Sequence, residues 1–194
     1  MVAANYSPLI TSVDLSGKKA LLGQTDNMFS PVSIDTYVCD LSAVSATVLA
    51  PINGYAALTD DGVSAYRSSS AAQNAISTDN FLGFFGTKSL NEGDVGTNPY
   101  TTTLSDSGSP KMTVPVIRQG SVWVATSSAI STAPNTKTYI LASVLAGGSA
   151  ANVGTIFQGS QPTQYVYIDI TNLITIKTTA GAAGTSVLVE ITQS

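Results

Sequence analysis

The chain has 194 residues and a formal net charge of -4, with 43% apolar and only 10% charged residues, where an ordinary globular domain carries about 25% charged. That length suits one domain, or one domain with an arm, and leaves solubility to Ser, Thr, Asn, Gln and Gly. The eight Lys and Arg are scattered from Lys18 to Lys177 without the clustering a phosphate backbone demands, so nucleic acid is not expected as a partner. No run reaches the ~18 apolar residues of a membrane-crossing helix, so no membrane is expected either.

Residues 1–30 show little periodicity and a few isolated apolar anchors, among them Tyr6, Leu9 and Ile10. The segment reads as an extended N-terminal arm, ordered by lying on a partner or on its own domain. It lacks the cationic stretch and apolar run of a secretory signal, so synthesis and folding in a cytoplasm are the expectation. Residues 31–194 form the β-rich domain. Short runs of Val, Ile, Thr and Tyr, punctuated by Gly, Pro, Asn and Asp, predict strands over 32–39, 44–49, 54–58, 63–67 and 80–85. Further strands are predicted over 112–118, 121–126, 137–141, 154–157, 165–170, 173–177 and 186–192. In Thr59-Asp60-Asp61-Gly62 an Asp offers an Asx-turn and the Gly a positive φ. Ser68 to Ile76 is Ala-rich and predicts a helix of one or two turns. The long connection 86–110 is either a contact loop or a solvated excursion. The fold class expected is all-β, a small antiparallel β-barrel or sandwich.

The segment MTVPVIRQGSVWVAT, residues 112–126, reads as a hairpin turning at Gln119-Gly120. Side chains alternate between the faces of a strand, so Pro115, Ile117, Val122 and Val124 share one side and Val114, Val116, Trp123 and Ala125 the other. Both sides are apolar. One core buries one of them, and the other needs a second sheet, another part of the chain or another protein.

Groups for chemistry are scarce. There is no histidine, which removes Ser-His-Asp and Cys-His arrangements and His-ligated zinc. The single cysteine, Cys39, reads as a small buried hydrophobe. Asp60 and Asp61 form the nearest carboxylate pair to the kind used on glycosides, but their position in a turn favours local amide bonding. No phosphate-cradling loop is present, and Ala180 to Gly184 precedes a strand rather than a helix. Tyr165 and Tyr167 share a strand face, where they either stack on a sugar, fill a protein interface or line an amphipathic sheet edge. No enzyme activity, cofactor or metal is expected.

From Asn80 onward the chain resembles the structural cement proteins that decorate capsids of tailed bacteriophages. The resemblance lies in Phe81-Leu82-Gly83-Phe84, the long loop after it, VPVIRQGSVWV, Lys137-Thr138-Tyr139, and the closing ITIKTTAGAAGTSVLVEIT. It implies a virion protein on the capsid exterior that bridges subunits of the major capsid protein and associates with its own copies, a trimer being favoured. Protein contacts are then expected at Trp123, Val116 and Val114, at Tyr6, Leu9 and Ile10 of the arm, and at Tyr165 and Tyr167. The alternative is a carbohydrate- or receptor-binding module of a phage fibre or adhesin, working through Tyr165, Tyr167 or the 86–110 loop.

Overall fold

The structure is a computed structural model and describes residues 22–25, 32–86 and 111–192. The all-β class holds: the described residues carry nine strands and three short 3-10 turns. The strands are β1 (Ser33–Asp40), β2 (Ala56–Leu58), β3 (Phe81–Phe85), β4 (Lys111–Ala125), β5 (Thr138–Val144), β6 (Ile156–Gln158), β7 (Tyr165–Asp169), β8 (Ile174–Ile176) and β9 (Ser186–Ile191). The larger sheet runs β2-β3-β4-β9-β8, with β1 also paired to β4, and the smaller runs β6-β5-β7. All ladders between these strands are antiparallel.

Residues 112–126 do not form the expected hairpin. Residues 112–125 lie within one 15-residue strand, β4, and Thr126 follows its end. Its first half is flanked by β1 on one edge and β3 on the other, and its second half pairs with β9. At the point expected to turn, Ser33 faces Gln119 while Ile34 faces Ile117, so Arg118 is an extra residue in the ladder. Gly120 follows with φ 104, a backbone state that a side chain disfavours. A one-residue insertion reverses which parity faces inward, just as a two-residue turn does. Ile117, Val122 and Val124 therefore share one core while Val114 and Val116 line another. The face assignment made from the sequence survives although the turn does not.

The two sheets pack through the larger core. Ile117, Val122, Val124, Val187, Val189 and Ile191 meet Ile140, Ala142, Ile156, Val166 and Ile168 there. A second core covers the outer side of the larger sheet, where Cys39, Ala65, Leu82, Phe85, Val114 and Val116 gather with Tyr37, Leu41, Val44 and Tyr66. At Val114 and Val116 the second apolar face of β4 is thus covered by another part of the same chain, while Trp123 on that face stays half-exposed. A third cluster on the outer side of the smaller sheet joins Leu141, Val153 and Tyr165 to Leu49, Val144 and Phe157.

Three expected elements are absent, each through local side-chain bonding. Over 44–49 the Ser45 hydroxyl accepts from the amides of Thr47 (3.3 Å) and Val48 (3.1 Å), bending the run. The 63–67 run makes only single bridges at Ser64 and Tyr66, because Asp61 Oδ1 takes the amides of Val63 and Ser64 (2.9 and 2.7 Å). The 68–76 helix is reduced to a turn in which the Ile76 amide donates to the Ala72 carbonyl (3.0 Å). Its intended first turn is held by Asp60, which accepts from Ser69 and from the amide and hydroxyl of Ser70.

Candidate interaction surface

Tyr6, Leu9 and Ile10, and residues 87–110 of the long connection, lie outside the described residues. Of the other expected contacts, Val114 and Val116 are fully buried in the second core. They are packing residues and offer no surface to a partner. Tyr165 is only 8% exposed. Its hydroxyl accepts from the Ser149 amide (2.9 Å) and Asn152 Nδ2 (3.1 Å), tying the 149–152 turn to β7. These three expectations are corrected for one reason: the segments that cover them come from distant parts of the chain.

Trp123 and Tyr167 keep part of their surface, and they sit on different sheets. The Trp123 carbonyl accepts from the Gly23 amide (2.8 Å), and its amide donates to the Gln24 carbonyl (3.0 Å). Residues 23–25 so run along β4 on the edge opposite β9. Tyr167 stands edge-on to Tyr139, with ring centroids 5.0 Å apart. Phe157 lies directly across from Tyr139, so the outer face of the smaller sheet carries an aromatic row flanked by the Lys137–Asp169 ion pair (3.0 Å).

The acids are placed for structure. Asp61 is held down at about 2, chiefly by the amides of Ser64 and Val63. Partial burial opposes ionisation of Asp60, but the hydroxyls of Ser69 and Ser70 and the Ser70 amide outweigh it and hold the carboxyl below its ordinary value. Both carboxylates are committed to local donors and make no acid/base pair. Among the described residues no group of three or more His, Cys, Asp or Glu is arranged to hold a metal. No helix in the described residues is long and apolar enough to cross a membrane.

One arrangement has no sequence signature. Arg67 lies over the Tyr55 ring, 5.1 Å from its centroid, and its stem rests on Gly154, where a Cβ would come within 2.4 Å of Arg67 Cγ. Nothing in the run Ala65-Tyr66-Arg67-Ser68 marks it, because Tyr55 and Gly154 are brought in by the ladders. No protein-family model matches the chain, and no curated protein matches its sequence.

Proposed function

We propose that the chain is a virion structural protein that binds the outside of a tailed-phage capsid and reinforces contacts between major capsid subunits. One observation carries the reading. Two of the segments that resemble cement proteins, 114–124 and 174–192, lie side by side in one sheet, β4 pairing with β9 and β9 with β8. A likeness divided in sequence falls on one continuous piece of structure. The connector between β8 and β9 is exposed over 181–184, and the Gly184 amide donates to the Thr126 carbonyl (2.8 Å). Small uncharged residues therefore sit at the end of β4, close to the half-buried Trp123.

In this reading the protein stabilises the shell by mass action, binding the assembled lattice and not free subunits. A stable contact buries roughly 1,600 Å². Few charges on the chain permit close approach without strong repulsion. The test is co-sedimentation with empty capsids, for wild type and for Trp123→Ala shown by thermal melting to be folded. Retention of wild type and loss of the variant is the expected result; equal retention of both removes Trp123, and no retention of wild type removes the reading.

A carbohydrate-binding module is the second reading, favoured by the half-exposed Tyr167 and Phe157, which flank the buried Tyr139. Aromatic faces of this kind stack on sugars. A glycan array decides it, with signal lost in Tyr167→Ala.

A further inference from the structure

We infer that the surface flanking β2 is a contact between copies of this chain, in which Arg67 of one copy receives the carboxylate of the partner subunit's Asp79. The inference stands apart from the capsid reading, since it concerns the isolated protein.

Among the described residues Arg67 is a charge seated without a counter-charge. Its Nε is buried with no hydrogen-bond partner, and Nη1 reaches only the Val153 carbonyl, at 3.4 Å. Among the described residues no acceptor meets Nη2, and the ion pairs formed are those of Arg118, Lys137 and Lys177. Lys111, the other described cation outside an ion pair, is exposed to water. Arg67 is half-buried, and burial pulls its guanidinium below the ordinary value, with neighbouring Tyr55 acting against it. A desolvated cation gains most from an anion delivered to it. The Tyr55 ring and the Gly154 backbone fix the plane in which that anion arrives.

Asp79 is the complementary case. Asp35, Asp169 and Glu190 each have a cation, and Asp40, Asp60 and Asp61 each accept a backbone amide. The carboxylate of Asp79 has neither among the described residues. Its bond is from the Ser77 hydroxyl, at 3.3 Å, and the residue is exposed.

The two groups bracket β2. The Ala56 amide donates to the Gly154 carbonyl (2.7 Å) at the Arg67 end, and the Thr59 amide to the Asn80 carbonyl (2.9 Å) at the Asp79 end. A three-residue strand separates these anchors by about 10 Å. Of the large apolar residues most exposed in the described chain, Ile34, Ile52, Val63 and Leu145, two lie on this stretch: Ile52 is 39% exposed and Val63 64%. A Tyr and an Arg, exposed aliphatic groups and a charge of each sign, all on segments that lead into or out of β2 or bond to it, match the make-up of a protein contact. Self-complementary charge points to a second copy, because one copy carries both halves of the pair.

Sedimentation equilibrium of the full chain over a concentration series tests this. At low salt the average mass is expected to rise above that of the monomer, and to fall back at about 0.5 M salt, where screening acts within a few Å. Arg67→Met and the change Asp79→Asn at an exposed position should each weaken association about tenfold, and the double variant no more than either single one. A wild type that stays monomeric throughout overturns the inference. So does an Asp79→Asn chain that associates like wild type, or a double variant whose loss is the sum of the two.

Discussion

The side-chain amide of Gln73 donates to the Tyr167 carbonyl (3.0 Å) and accepts from the Tyr167 amide (2.8 Å). In the sheet order β6-β5-β7 the strand carrying Tyr167 is at an edge, and Gln73 takes the place of a neighbouring strand at that one residue. Open edges invite pairing with other chains. Gln73→Ala should lower stability by about 1 kcal/mol, the net worth of hydrogen bonds partly open to water. It should also speed aggregation on mild heating. Gln73→Glu keeps the acceptor and replaces the donor with charge facing the Tyr167 carbonyl, so it should cost more than alanine. Urea unfolding with light scattering checks the order.

Gly83 has φ 144, and a Cβ there would stand 2.1 Å from the Ile117 carbonyl oxygen. The glycine sits where the β2–β3 ladder shifts register. That shift lets Phe81 and Phe84 face the same core edge to face, at 5.3 Å. Gly83→Ala meets backbone on one side and a disfavoured φ on the other. A loss of about 3 kcal/mol or more is expected in chemical denaturation. A loss under about 1 kcal/mol would mean that β3 and β4 separate easily at this point.

Acid should weaken the fold through its hydrogen-bonded carboxylates. Asp61 is lowered to about 2, and Asp40, Asp60 and Asp169 are also lowered. A carboxyl lower in the folded chain than in the unfolded one contributes fully above the unfolded value, ~3.9, and loses that contribution as pH falls toward the folded one. Urea midpoints should therefore hold steady at neutral pH and fall between about pH 4 and 2. Asp61→Asn should make that fall shallower. At pH 7 it should cost no more than about 1 kcal/mol, because the site is open to solvent.

Cys39 is fully buried, and burial, with the Asp40 charge adding to it, pushes the thiol up to about 11. A neutral thiol shielded from reagent reacts only when the structure opens. Labelling with an aromatic disulfide at pH 8 should be slow in the native chain and rapid in denaturant. Cys39→Ser buries a hydroxyl in the second core and should cost about 1–3 kcal/mol.

Short-range chemistry was readable in the amino-acid order. Asp61 and Gly62 announce their turn because the groups that bond lie two and three residues apart. Cys39 sits in an apolar run and is buried as expected. The Gln119-Gly120 step was not readable: a tight turn and an inserted residue both invert the facing pattern, and only pairing with β1, β3 and β9 selects the second. The candidate contacts divide the same way. Trp123 and Tyr167 keep surface, whereas Val114, Val116 and Tyr165 are hidden by residues 37–66 and 149–153, which no local pattern connects to them. Arg67 passed unnoticed because its seat is made of Tyr55 and Gly154. Ser45 and Asp60 defeated a strand and a helix through hydroxyl and carboxylate bonds that hydrophobic periodicity does not register.

β4 contributes to two cores on opposite sides of one sheet, and its ladder partners β1 and β9 lie far apart along the polypeptide. Neither half of the molecule then has a complete interior without the other. Equilibrium unfolding should be a single all-or-none event, with amides at Val116 and Val124 exchanging at the same global rate. Assembly has to wait for remote loop closures, which places the refolding time in milliseconds to seconds rather than microseconds.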